Sequence, residues 1–125
     1  MVGKKILIVE DEKEMLDLLA KRLAKEGYQV MALSQGQQVV AKTKEFQPQL
    51  ILMDIMLPDI DGAEAVKLLQ QDGATSGIPV VFLSGIVSPD EKKQISVKVG
   101  LREYPALPKP FTAEQLLIYV KRQVG

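Results

Sequence analysis

The chain has 125 residues, with sixteen basic and sixteen acidic side chains, no histidine, no cysteine and 46% hydrophobic residues, enough for one compact domain with a sizeable core. Zero formal charge argues against direct nucleic-acid binding, whose surfaces are strongly basic. The lack of cysteine excludes disulfides and thiol chemistry and fits the cytoplasm, and the lack of histidine means that any imidazole relay must come from a partner.

Met1-Val2-Gly3-Lys4-Lys5 does not have the pattern of a signal peptide, and no apolar run approaches the ~20 residues of a membrane span. Lys5-Ile6-Leu7-Ile8-Val9 carries a continuous apolar run of the kind buried on both faces of a parallel sheet. It stops at Glu10-Asp11-Glu12. Asp11 with Glu14 predicts a capping box, opening a helix with Met15, Leu16, Leu19 and Leu23 on one face, and Gly27 predicts its C-terminal cap. Tyr28 to Leu33 is a more polar strand, expected at the sheet edge. Ser34 and Gln37 are expected to cap a second helix ending near Phe46, before Pro48.

The central strand, Leu50-Ile51-Leu52-Met53, delivers Asp54 where it stops, and Pro58 prevents further extension. Asp61 and Glu64 mark the next helix, with Val66, Leu68 and Leu69 inside it, and then a loop over 73–77. Pro79 to Ser84 is a fourth strand. Ser88-Pro89-Asp90-Glu91 predicts the start of a fourth helix, although Ile95, Val97 and Val99 alternate as a strand would. Next comes a short strand near Tyr104 to Leu107; Pro105 and Pro108 place it at an edge. Thr112 and Gln115 cap a last helix with the stripe Ala113, Leu116, Leu117, Val120 and Val124. Strands alternating with helices predict an α/β fold, a doubly wound parallel sheet of five strands, with ligands bound beyond the carboxyl ends of the strands.

Four strand ends carry polar groups: Glu10 with Asp11, Asp54, Ser84 and Lys109. Converging carboxylates repel and raise one another's pKa unless a cation sits among them. An all-oxygen donor set without His or Cys suits Mg²⁺ or Mn²⁺, and phosphoryl transfer is mostly positioning and charge neutralisation. Asp54 is thereby read as the nucleophile, already ionised and needing no base, with Ser84 and Lys109 on the other phosphoryl oxygens. The Lys109-Pro110 bond is one that could be cis.

These motifs resemble the receiver domain of bacterial two-component response regulators: Glu10-Asp11, Met53-Asp54-Ile55-Met56-Leu57-Pro58 through Asp61-Gly62, Leu83-Ser84-Gly85 and Lys109-Pro110-Phe111, in this order over nearly the whole chain. The resemblance implies a flavodoxin-like (βα)5 sheet of strand order 2-1-3-4-5. It implies that a sensor histidine kinase, a phosphotransfer protein or a small phosphodonor phosphorylates Asp54. Magnesium would be held by Glu10 or Asp11, Asp54 and the backbone carbonyl of Met56. Ser84 and Lys109 would couple the phosphoryl group to the surface of the fourth helix, fifth strand and fifth helix, through which the family also dimerises; Ile118 and Tyr119 offer apolar area there. The chain reads as a single receiver domain over 1–125 with no output domain, either standing alone or cut from a larger regulator. It would act as a signalling phosphoacceptor and not as an enzyme on exogenous substrates.

Three departures from the family stand out. Glu10 replaces the usual aspartate, and Ser84 replaces the commoner threonine. The aromatic switch position, three before Lys109, is Ala106. Either a bulge absorbs two extra residues and Tyr104 serves as the switch, or the aromatic coupling is altered. Met56 and Ile86 flank the site and are both apolar, which suggests a long-lived phosphorylated state. A dehalogenase-like phosphatase would need a second aspartate where Met56 stands. A flavodoxin-like cofactor carrier would need a phosphate-binding loop where Glu10-Asp11-Glu12 stands. The remaining alternative is a degenerate receiver that binds proteins without phosphorylation.

Overall fold

The computed structural model describes residues 3–85 and 95–124. In chain order the elements are β1 (Lys5–Val9), α1 (Lys13–Lys25), β2 (Gln29–Leu33), α2 (Val39–Phe46), β3 (Leu50–Asp54), α3 (Gly62–Gln70), β4 (Val80–Ser84), β5 (Ile95–Val99), β6 (Arg102–Pro108) and α4 (Ala113–Val124). They build one six-stranded sheet of order β2-β1-β3-β4-β6-β5. The five parallel strands, β1 to β4 and β6, stand in the order expected, 2-1-3-4-5 counted among themselves. β5 is added outside them and runs antiparallel to β6.

Strand periodicity sorts the core into two layers. Ile6, Ile8, Leu50, Leu52, Val81, Leu83 and Leu107 face α1 and α4. Leu7, Val9, Ile51, Met53, Val80, Phe82, Tyr104 and Ala106 face α2 and α3. Every residue of β3 and of β4 is buried, as continuous apolar runs covered on both faces must be. Asp54 and Ser84 are therefore carried to the sheet's end on strands with almost no freedom.

The largest difference from the sequence reading lies at 95–99, where a strand stands in place of the second half of the expected fourth helix. Alternation decides it: Ser96 and Lys98 are exposed, Val97 is half-buried and Val99 buried. Gly100 at φ 62°, with the exposed Leu101 after it, closes the β5–β6 hairpin between Val99 and Arg102, as a type II′ turn with glycine first requires. The cap expected at Ser88 to Glu91, and Ile86, lie outside the described residues. With β5 alongside, β6 is not the short edge strand that its prolines suggested. It has seven residues and lies between β4 and β5; Pro105 faces Ser96, and Pro108 ends the strand opposite Ser84.

Two caps also differ. No side chain caps α1, whose N-cap residue is Glu12, so Asp11 is not spent on the helix. At α2 neither Ser34 nor Gln37 caps. No side chain caps the helix, whose N-cap residue is Gln38. In the turn before it Asp59, from the loop after β3, accepts from the N–H groups of Gly36 and Gln37 at 2.9 and 2.7 Å. Although some desolvation pushes the other way, these bonds hold its carboxyl below the usual range. The expected caps at Asp61, which accepts from Ala63 N–H, and the reciprocal Thr112–Gln115 box are present. Gly27 comes just after α1, at φ 97°.

Candidate functional site

The hydrogen-bond ladder runs one residue past the strands and so fixes the direction in which the chain leaves them. Glu10 N–H donates to Leu33 O at 3.0 Å, Ile55 N–H to Leu83 O at 3.2 Å, and Lys109 N–H to Ser84 O at 2.7 Å. Glu10, Asp54, Ser84 and Lys109 are thus tied in register at one end of the sheet. Past Asp54 the chain turns through Gly62, whose N–H donates to Ile55 O at 2.7 Å. A Cβ on Gly62 would lie 2.2 Å from the backbone oxygen of Asp54, so only glycine allows α3 to begin this close to β3.

Three carboxylates converge there. Glu10, Asp11 and Asp54 each present an oxygen within 4.8 Å of the others; Glu10 and Asp54 are buried and Asp11 is exposed. Lys109 reaches into the cluster from the turn after β6, with its Nζ 2.8 Å from Glu10 Oε1 and 3.3 Å from Asp54 Oδ2. Glu12 N–H donates to Glu10 Oε2 at 3.1 Å, and Met56 N–H donates to Asp54 Oδ1 at 3.2 Å. The Lys109-Pro110 bond is cis. Ser84 is buried at the end of β4, one residue beyond Leu83, the partner of Asp54 in the sheet.

Burial, and then the Glu10 carboxylate beside it, push Asp54 up to about 6, against the pull of Lys109. Burial also raises Glu10, but the Lys109 ammonium and the Glu12 N–H outweigh it and hold Glu10 below its ordinary value. Burial works against the charge on Lys109, and the two carboxylates more than restore it. One ammonium thus serves two buried carboxylates, and Asp54 carries the uncompensated charge. A carboxylate whose pKa is higher folded than unfolded costs stability once it ionises. Asp54→Asn should therefore stabilise the fold at pH 7.5 without divalent ions by about 2 kcal/mol. The gain should shrink as pH falls through 6 and vanish near the unfolded value, which urea melts across pH will show.

The donor chemistry fits a hard divalent cation. All candidate side-chain donors are carboxylate oxygens, and the cluster holds more negative charge than Lys109 balances.

Tyr104 is buried on the face of α3, with its ring edge-on to Phe82 at 5.9 Å and its hydroxyl accepting from Gln70 Nε2 at 2.8 Å. The same Gln70 amide donates to Val99 O at 3.0 Å. No bulge absorbs the extra length expected in this strand: Phe82, Leu83 and Ser84 pair in unbroken register with Ala106, Leu107 and Pro108. Tyr104 therefore stands two residues, about 7 Å, farther from the strand ends than Ala106. Tyr104→Phe should cost about 1 kcal/mol in unfolding free energy by removing the acceptor from Gln70. Asp59, which ties the loop after β3 to the turn before α2, and Gln70, which ties the end of α3 to Val99 and Tyr104, escaped the sequence reading because each bonds residues far away in the chain.

The model of the response regulator receiver domain matches residues 6–121. The chain is 36% identical over 121 residues to the phosphate regulon transcriptional regulatory protein PhoB of Pseudomonas aeruginosa, covering 97% of this chain and 52% of that protein. It is 34% identical to the alkaline phosphatase synthesis transcriptional regulatory protein PhoP of Bacillus subtilis, covering 96% of this chain and 48% of that one. The chain thus spans about half the length of these curated relatives. Among solved structures, the receiver domain of the sensor histidine kinase PA1611 from Pseudomonas aeruginosa, with magnesium coordinated in its active-site cleft, superposes with a TM-score of 0.84 at 26% identity over 98% of both chains. The chemotaxis protein CheY4 of Vibrio cholerae gives 0.83 at 26% identity, over 97% of this chain and 98% of that one. Fold, strand-end chemistry and these likenesses agree, and the chain belongs to the response regulator receiver domain family.

Proposed function

We propose that Asp54 is the phosphoacceptor of this receiver, taking a phosphoryl group from the phosphohistidine of a sensor kinase or phosphotransfer protein, or from a small acyl phosphate. The single observation that supports this most is the convergence of Glu10, Asp11 and Asp54 oxygens within 4.8 Å with the Lys109 amine against two of them. An oxygen of Asp54 attacks phosphorus, the bond to the donor breaks with its electron pair leaving on the donor, and an acyl phosphate remains. Glu10, Asp11, Asp54 and the backbone carbonyl of Met56 would hold Mg²⁺ or Mn²⁺, which when bound neutralises phosphoryl charge that the carboxylates would otherwise repel. Lys109 gives up its contact with Asp54 and pairs with a phosphoryl oxygen, while the Ser84 hydroxyl donates to another. Both are joined to β6, Lys109 by the chain itself and Ser84 through the Lys109 N–H, so their movement reaches the surface of β5, β6 and α4. With no bulge to bring Tyr104 forward, the aromatic coupling is altered: Ala106 stands at the switch position, and Tyr104 packs on Phe82 two residues farther from the site. The acyl phosphate is then lost to water without turnover of an external ester.

A cytoplasmic setting and a downstream protein partner or attached output domain accompany this role. Among the described residues no helix is long and apolar enough to cross a membrane. Incubation with acetyl phosphate and Mg²⁺, then intact mass, tests the reading. One added phosphoryl group that disappears in Asp54→Ala is expected; no addition, or addition that survives the substitution, contradicts it.

A further inference from the structure

We propose that Asp59 is a positioning residue for the acceptor site: it holds the loop after β3 so that Met56 sets its N–H on Asp54 and its carbonyl where the cation is bound. The second half of this rests on the reading of Met56 as a metal donor given above. The Met56 side chain is 65% exposed and cannot anchor its own backbone. What reaches Asp54 is main chain, the Met56 N–H at 3.2 Å from Oδ1, and it has to be held from elsewhere. Asp59, three residues on, supplies that hold. Its two oxygens each accept one N–H, from Gly36 at 2.9 Å and from Gln37 at 2.7 Å, in charge-assisted bonds stronger than neutral ones. Leu57-Pro58 between them is a stiff connection, because proline fixes its own φ and confines the residue before it to extended backbone. A shift at Asp59 therefore arrives at Met56 little diminished.

The turn that Asp59 grips is itself fixed. Leu33, before it, accepts from Glu10 N–H at 3.0 Å, and the buried Val39, after it, donates its N–H to Gly36 O at 3.1 Å. Leu57 and Ile60 pack on the core layer that faces α2 and α3. A Cβ on Gly36 would lie 2.7 Å from Ile60 Cγ1 and 3.1 Å from Leu57 Cδ1, so turn and loop are seated flush. Chain and bonds together run from Glu10 through Leu33, the turn, Asp59 and Met56 to Asp54, joining two of the cleft's three carboxylates. Groups that only hold a metal donor in place commonly affect metal affinity about as strongly as that donor's own surroundings do.

Asp59→Ala removes both bonds, and Asp59→Asn keeps one accepting oxygen. Asp72→Ala is the control: Asp72 also accepts a backbone N–H, from Ala74 at 2.9 Å, and pairs with Lys44, but beyond the far end of α3. In EDTA, hydrogen exchange of the Met56 amide, followed by NMR, should be about tenfold faster in Asp59→Ala, accelerated less in Asp59→Asn and unchanged in Asp72→Ala. Calorimetric titration with Mg²⁺ should show a Kd raised about tenfold in Asp59→Ala, raised less in Asp59→Asn and unmoved in Asp72→Ala. Acetyl phosphate labelling of Asp59→Ala at saturating Mg²⁺ should stay within about threefold of the original chain, since the loss lies in binding the cation. Urea melts report stability separately. Met56 exchange that Asp59→Ala leaves unchanged, or that Asp72→Ala accelerates equally, would overturn the proposal, as would an unaltered Mg²⁺ Kd in Asp59→Ala. An original chain that binds no Mg²⁺ would instead overturn the reading of the cation site, and the exchange measured in EDTA decides the role of Asp59 without it.

Discussion

Lys109→Met should destabilise the fold by about 3 kcal/mol in divalent-free buffer near pH 7.5. The methionine keeps most of the aliphatic stem, so packing loss is small, and the cost is electrostatic. It removes the one ammonium that contacts both Glu10, fully buried, and Asp54, only 5% exposed. Taking one partner from a buried ion pair leaves charge that is neither solvated nor neutralised, which is why such changes cost more than the intact pair contributes. Two further results separate this from lost packing. The deficit should narrow as pH falls and the carboxylates take up protons, beginning with Asp54, whose value of about 6 would rise further without the lysine. It should also narrow on adding Mg²⁺, which supplies the missing positive charge. A deficit constant in both titrations would mean that the amine does not serve the carboxylates. Urea unfolding with and without EDTA at several pH values measures all of this.

Gly62→Ala should cost about 3 kcal/mol or more and should also impair phosphorylation. The added methyl would lie 2.2 Å from the Asp54 oxygen and 2.9 Å from the Ile55 Cα. Both are backbone atoms at the end of a fully buried strand, so no flexible side-chain tip can yield. Relief requires moving α3 or the end of β3, and the latter carries the acceptor away from Lys109. Gly73→Ala is the control, since nothing lies within 4 Å of its added Cβ; it should change stability by less than about 0.5 kcal/mol. Equal behaviour of the two variants in unfolding and in acetyl phosphate labelling would contradict the steric argument.

The site was legible in the sequence for a physical reason. β1, β3 and β4 carry apolar residues on both faces, which only strands covered on both sides tolerate, and each ends in or leads directly into a polar side chain. Polar residues at the ends of adjacent parallel strands must meet, so Glu10, Asp54 and Ser84 could be grouped before any coordinates. The features that stayed hidden depend on distant groups or on competing patterns. The turn leading into α2 is held by Asp59, more than twenty positions away, and spacing within the helix cannot report it. Asp11 and Glu14 had capping-box spacing, but the helix begins two residues after Asp11, leaving that carboxylate to the cleft. At 95–99 the alternation of β-branched residues was visible, and the expectation of regular strand–helix alternation overrode it. Once β5 is in place, the prolines of β6 no longer mark an edge, because Pro105 faces Ser96 in the added strand.

The account rests on a metal-assisted acceptor at Asp54, and locating the modification tests that most directly. Chain treated with acetyl phosphate and Mg²⁺ would be reduced with borohydride, which converts an aspartyl phosphate to homoserine, and then mapped by peptide mass spectrometry. The expected result is homoserine at position 54 alone, abolished by EDTA in place of Mg²⁺. Homoserine at another carboxylate, or equal labelling of Asp54 in EDTA, would contradict it.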